Sequence, residues 1–234
     1  MKCVSRIPYA CARVNPSTGC WRSYETMNLV ILYEDEWLLA VDKPAGLLTI
    51  PAPLKKARTL TGILNDDASQ RGVSWRLHPC HRLDRETSGV MLYAKGKSVQ
   101  QKMMRLFKER RVKKTYYAFV HGRPSRPQGD IKFPVEGKPA LTHYRVLEYR
   151  KDFSIVEAMP VTGRKNQIRL HFKALGFPVV GETRFCFRRD FALKARRLCL
   201  HARSLEFNHP VSSRHLCLQS QVPQDMRRFL ESHP

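Results

Sequence analysis

His81-Arg82-Leu83-Asp84-Arg85-Glu86-Thr87-Ser88-Gly89 runs directly into Val90-Met91-Leu92-Tyr93-Ala94. An acid set between two arginines, a Thr-Ser-Gly turn and then an unbroken apolar run describe a polar loop held at the lip of a sheet, a placement that suits chemistry. Asp84 has two readings from these residues alone. It is a turn-capping, salt-bridged acid, or it is a reactive carboxylate.

Outward from this stretch the chain alternates short strands with isolated helices. Leu29 to Tyr33 and Trp37 to Val41 read as strands around Glu34-Asp35-Glu36. Lys43-Pro44-Ala45-Gly46 bends sharply after them, since proline fixes one dihedral and glycine permits a positive one. Thr59 to Leu64 reads as a short helix, preceded by an exposed loop with Pro51, Pro53, Lys55, Lys56 and Arg58. Val99, Met103, Leu106 and Phe107 recur at helical spacing and predict an amphipathic helix over Lys97 to Arg111. Thr115 to His121 is a strand, and Arg123 to Gly129 is loop by composition. Leu141 to Tyr149 and Phe153 to Val161 form a hairpin. Thr162-Gly163-Arg164 opens a helix carrying Ile168, Leu170, Phe172 and Leu175, with Gly176 as its stop. Ser204 to Phe207 and His215 to Gln219 are strands, and Asp225 to Leu230 is a last helix. This order predicts an α+β domain over residues 28–234, with a mixed, largely antiparallel sheet flanked by helices.

Residues 1–27 carry Lys2, Arg6, Arg13 and Arg22 against one acid, Glu25, without hydrophobic periodicity, and are expected to be a disordered basic extension. A start at Met27 and an organelle transit segment are the other readings of this stretch; the lack of a continuous apolar region argues against secretion.

Charge narrows the partner. Lys and Arg total 42 against 20 Asp and Glu, a formal +22. So large a surplus attracts polyanions, with nucleic acid ahead of an anionic membrane, because no apolar run approaches the length of a spanning helix. The seven cysteines are odd in number and show no C-x-x-C pair, which argues for reduced thiols in the cytoplasm and against a disulfide framework or zinc ribbon. His78-Pro79-Cys80-His81 offers three ligand types, but a fourth at sensible spacing is missing; no metal site is assigned. Ser88 as a hydrolase nucleophile is weak, since no strand, glycine elbow and helix surround it. The run Arg110, Arg111, Lys113 and Lys114 reads equally as a solvated face or as a phosphate-contacting patch.

His-Arg-Leu-Asp-x-x-Thr-Ser-Gly resembles the signature of the RluA-type pseudouridine synthases, which isomerise uridine in ribosomal and transfer RNA. Lys43-Pro44-Ala45-Gly46, Lys114-Thr115-Tyr116 and Thr162-Gly163-Arg164-Lys165-Asn166-Gln167-Ile168-Arg169 match further family segments in the expected order, over roughly residues 29 to 220. The resemblance implies the pseudouridine synthase fold and a cofactor-free reaction without redox change, energy donor or metal. It implies Asp84 as the catalytic carboxylate, nucleophile or base, with both routes open. Arg169 is then its cationic partner through two hydrogen bonds, Tyr116 the aromatic on the uracil face, and Ile168 the packing beneath the base. Arg82 is implied to enter the RNA stack as the target base leaves it. Arg164, with Arg110, Arg111, Lys113 and Lys114, completes the substrate-binding set. The implied partner is ribosomal or transfer RNA, met by a monomer. Three departures stand out: Asn166 where the family usually has His, Glu182 where Gly is usually followed by Asp, and a shortened segment from Gly122 to Ala140. The competing reading is a basic RNA-binding or ribosome-associated protein of the same fold without activity.

Overall fold

Two strands with both faces covered explain why the run after the signature is apolar throughout. β1 (Ile31–Glu34) pairs antiparallel with β2 (Leu38–Lys43), and β2 with β4 (Ser88–Lys95). Strand side chains alternate between faces, so β2 and β4 present Leu38, Ala40, Val90, Leu92 and Ala94 to one layer. Leu39, Val41, Met91 and Tyr93 go to the other. The first layer meets α2 (Lys97–Lys108) through Val99 and Met103, and the second meets α1 (Leu60–Gln70) through Leu60, Ile63 and Leu64. Asp35 closes the first turn, its carboxylate accepting the N–H groups of Trp37 (2.8 Å) and Leu38 (2.7 Å).

The computed structural model describes residues 29–51, 58–187, 191 and 193–234. The expected basic extension at 1–27 and the cluster Lys55-Lys56 lie outside these residues. Among the described residues a ten-stranded sheet runs β1-β2-β4-β9-β5-β8-β7-β6, with β3 (Leu77–Pro79) on β4 and β10 (His215–Gln219) on β9 (Leu200–Asn208). β5 (Lys113–His121), β6 (Gln128–Ile131), β7 (Thr142–Tyr149) and β8 (Phe153–Pro160) build the other half. The pairing of β4 with β9 is parallel and the others are antiparallel, the mixed α+β sheet expected. On the β5–β8 half, α3 (Gln167–Ala174) packs Ile168 and Phe172 against Ala118, Val120, Val156 and Ala158. Met226 of α4 (Gln224–Glu231) packs with Phe119 and Phe153 in a separate core cluster. No helix among the described residues is long and apolar enough to cross a membrane.

Several boundaries differ from expectation, among them α1, which runs on to Gln70 where Leu64 was the expected end. β3 was not expected, and β6 begins inside the stretch read as loop; three or four residues carry too few alternations to register. β9 starts at Leu200, well before Ser204. α2 ends at Lys108 instead of Arg111, because Arg110 turns left-handed (φ 59°). There the N–H of Arg110 bonds Phe107 O (3.2 Å) and that of Arg111 bonds Leu106 O (2.9 Å), the reverse turn that usually carries glycine at the strained position.

The parallel pairing of β4 with β9 sets Gly89 against Ala202. At φ +116°, a Cβ on Gly89 would lie 2.2 Å from the Ala202 carbonyl oxygen, with backbone on both sides of the clash. Gly89→Ala is therefore expected to destabilise by about 3 kcal/mol, at the upper end of ordinary single substitutions. Chemical denaturation of the variant measures this, and a midpoint equal to wild type would refute the close approach.

Candidate active site

Two neighbouring segments hold the signature loop by its backbone. The Thr49 hydroxyl donates to Leu83 O (2.9 Å) and accepts the Leu83 N–H (3.3 Å). Gly46 N–H donates to Arg85 O (2.8 Å), and Arg85 Nε returns a bond to Gly46 O (3.0 Å). Lys43, fully buried, sends its ammonium to Pro44 O (2.9 Å), Leu47 O (2.7 Å) and Arg85 O (3.2 Å). Burial pulls its pKa down to about 8. The Lys-Pro-Ala-Gly segment is thus more than the turn its sequence suggested. It is a buttress of the loop, and the part that Lys43 plays in it, binding three backbone carbonyls, is what the sequence reading of a turn missed.

His81 and Ser88 of the loop are also held by partners, whereas the buried Thr87 hydroxyl has none among the described residues. His81 Nε2 accepts the Leu92 N–H (3.1 Å), and burial pushes its pKa down to about 3, so the ring stays neutral. Burial pushes the Cys80 thiol up to about 12. Among the described residues no three His, Cys, Asp or Glu converge as a metal site. Ser88, 3% exposed, lies between His201 Nδ1 (2.9 Å) and Arg197 Nη2 (2.9 Å), out of reach of a substrate. That placement removes the hydrolase reading.

Asp84 lines a cavity of about 730 Å³ together with Tyr116, Ile168 and Arg169. β5 supplies Tyr116 from the seam between the α1 and α3 core layers. Burial, and then the charge of Asp84, raise the tyrosine's pKa. Seven basic side chains line the cavity against the single acid: Arg82, Lys108, Arg110, Lys114, Arg164 and Lys165, with Arg169. Lys114 donates to Thr162 O (3.0 Å), and burial followed by the charge of Arg110 lowers its pKa to about 8. Strand alternation separates the two lysines of β5: Lys114 shares the face of Tyr116, whereas Lys113 points to the opposite face and pairs with Glu206 (2.9 Å). Arg111 pairs with Glu109 (3.5 Å) and also lies off the cavity. Of the expected substrate-binding set, Arg82, Arg110, Lys114, Arg164 and Ile168 are brought together; Arg111 and Lys113 are not. Lys108 and Lys165 join them without having been singled out.

The expected two-bond pair between Asp84 and Arg169 is corrected by the structure. Arg169, 3% exposed, gives Nε and Nη2 to Glu182 Oε2 (2.6 Å) and Oε1 (2.7 Å), and Nη1 to Asn166 Oδ1 (3.0 Å). Glu86 lies 3.7 Å from the same Nη1. The longer Glu182 side chain occupies the bidentate edge of the guanidinium, and the left-handed Asn166 (φ 54°) takes the remaining nitrogen. Both departures noted in the sequence therefore meet on one arginine. Asp84 feels Arg169 through charge alone: burial pushes the carboxyl's pKa up, and Arg169 and then Arg82 oppose the rise without cancelling it.

Comparison with known proteins agrees with this geometry. Residues 37–174 match the family described as RNA pseudouridylate synthase. The chain is 38% identical over 200 residues to the dual-specificity RNA pseudouridine synthase RluA of Escherichia coli (strain K12), covering 78% of this chain and 88% of that one. It is 33% identical over 225 residues to the uncharacterized RNA pseudouridine synthase YlyB of Bacillus subtilis (strain 168), covering 89% and 74%. Among solved structures, human RNA pseudouridylate synthase domain containing 4 superposes with a TM-score of 0.73 at 28% identity, over 86% of this chain and 92% of that one. The domain containing 1 protein gives 0.67 at 26% identity, over 92% and 97%. With a family match over more than half its length and a relative 38% identical across most of both chains, this chain belongs to the RluA-type RNA pseudouridine synthases, isomerases of uridine within RNA.

Proposed function

We propose that the chain converts a specific uridine of ribosomal or transfer RNA to pseudouridine, with Asp84 as the catalytic carboxylate and no cofactor, acting as a monomer in the cytoplasm. The observation that carries this is the single acid among seven bases in a cavity of about 730 Å³, within the range of small-molecule sites. The bases bring in the phosphates. The acid, which no phosphate contact would need, is left for the sugar. In the isomerisation the sugar C1′–N1 bond breaks, a C1′–C5 bond forms, the C5 proton leaves and N1 takes up a proton in its place, so the atoms balance without a second substrate. Asp84 attacks the sugar or removes one of its protons, Tyr116 stacks on the uracil, Ile168 packs beneath it, and Arg82 fills the gap left by the extruded base.

Release of tritium from RNA labelled at uridine C5 tests the reaction, with ribosomal and transfer RNA supplied separately. An RNA-binding protein without activity would retain both RNAs and release nothing. Mapping pseudouridines in cells with and without the gene then identifies the position.

The cavity also divides the basic run. Arg110→Gln and Lys114→Gln are each expected to weaken RNA binding and to flatten its log-log salt dependence by about one slope unit. Arg111→Gln and Lys113→Gln, off the cavity and held by Glu109 and Glu206, are expected to leave the slope unchanged. A wild-type slope in all four variants would return the run to a solvated face, and equal flattening in all four would remove the division made by the cavity.

A further inference from the structure

The turn that carries Asp84 also carries a hydroxyl that the fold does not use. Thr87 lines the cavity and is 2% exposed. Its N–H donates to Asp84 O (3.1 Å) and closes the turn, while its Oγ1 has no hydrogen-bond partner among the described residues. A buried hydroxyl without a partner costs stability, and such a group in a folded protein calls for a reason. Two other neutral groups of the cavity wall, by contrast, are committed to the fold. The Thr162 hydroxyl accepts the Leu141 N–H (3.0 Å) and donates to Gln167 Oε1 (2.7 Å). Gln167 Nε2 in turn donates to Leu141 O (3.0 Å) and to the Thr142 hydroxyl (3.0 Å).

We propose that the Thr87 hydroxyl bonds the 2′-hydroxyl of the target ribose and thereby selects RNA over DNA at the reacting nucleotide. The inference rests on the proposed action of Asp84 on the sugar of a uridine. Thr87 is tied to the backbone of Asp84 and so belongs to the sugar side of the cavity, whereas Tyr116 and Ile168, assigned to the base, come from β5 and α3. The phosphates are left to the cations. Inside an RNA chain the 3′ and 5′ oxygens are esterified, so the 2′-hydroxyl is the one hydroxyl that the sugar offers, and it donates and accepts as a threonine does. A site built to bond a hydroxyl rejects the analogue that lacks it, because its own polar group is then left unpaired.

The test uses the full chain and a stem-loop RNA with one uridine in its loop, beside the same hairpin with 2′-deoxyuridine at that position. Binding is read in the Asp84→Asn background, so that no product forms. That protein should bind the uridine hairpin about tenfold more tightly than the deoxyuridine one, the worth of one hydrogen bond. Adding Thr87→Val should bring the two affinities together, by a loss on the uridine hairpin alone, and Thr87→Ser should keep them apart. With Asp84 in place, Thr87→Val should melt at the wild-type temperature or above it, because a methyl replaces a hydroxyl that the fold leaves unpaired. Equal affinity for the two hairpins before any change at Thr87 overturns the contact, and so does a preference for uridine that survives Thr87→Val. A lower melting temperature with that preference intact makes Thr87 a structural residue. A wild type that releases no tritium from any uridine RNA overturns the proposed function instead, and the contact with it.

Discussion

Replacing Asp84 with Asn is expected to abolish pseudouridine formation, by at least about a thousandfold, while the protein stays folded and binds RNA as well as before or slightly better. The structure separates this outcome from that of a structural salt-bridge partner. Among the described residues the Asp84 carboxylate makes no ion pair within 4.0 Å, and Arg169 keeps its two bonds to Glu182 and its bond to Asn166 whether or not Asp84 is charged. No buried cation is orphaned by the change. Burial holds the Asp84 pKa above its ordinary value, so at neutral pH the fold bears the cost of keeping the carboxylate ionised. The sign of the stability effect follows. Above the raised folded-state pKa the wild type is penalised, and the uncharged Asn variant should melt at the same temperature or higher. Its RNA affinity should rise because one negative charge has left a cavity lined by seven bases. Tritium release and a melting curve on one preparation check both halves. An Asn variant that melts early and loses activity only in proportion would make Asp84 a structural acid.

What the sequence showed of this site depended on whether a feature was local or spatial. The apolar run Val90 to Ala94 revealed a buried strand because β4 is covered on both faces, which leaves no polar position in its pattern. α2 was readable from its period, but its end was not, because Arg110 adopts the left-handed turn that glycine normally signals. Lys43 could not be recognised as a buttress from its neighbours; three carbonyls from two segments, one of them 42 residues away, define it. Lys113 and Lys114 look like one patch in the sequence, yet they lie on opposite faces of β5, where alternation is decisive once the strand is known. The partner of Arg169 was the least legible. Choosing among Asp84, Glu86 and Glu182 needs the depth of each carboxylate, and depth is a property of the packed fold.

Glu182→Ala should produce the largest loss of stability of any change at the site. Glu182 and Arg169 are both nearly inaccessible, with side-chain exposures of 2% and 4%, and are joined by two short hydrogen bonds. Removing one partner of such a pair leaves the other charge uncompensated in a poor solvent for it, at a cost of about 3–5 kcal/mol. For a chain of this size that corresponds to a fall of roughly 6–20 °C in Tm. Burial pushes the Glu182 pKa up, but the bonds from Arg169 and from the N–H of Arg184 outweigh it and leave the carboxyl below its usual range. A depressed folded-state pKa contributes stability that is present above the unfolded value and disappears as pH falls through the folded one. The gap in Tm between wild type and variant should therefore be full at neutral pH and close as the solution is acidified below the ordinary carboxylate range. Activity should fall by more than unfolding explains. Freed from Glu182, Arg169 keeps Asn166 and can turn toward Asp84, whose pKa an ion pair would lower and whose basicity and nucleophilicity would fall with it. The acid limb of kcat/KM should then move to lower pH as its plateau drops. Equal melting temperatures at neutral pH would mean that the pair adds no net stability, and an unmoved acid limb would mean that Glu182 does not set the distance between Arg169 and Asp84.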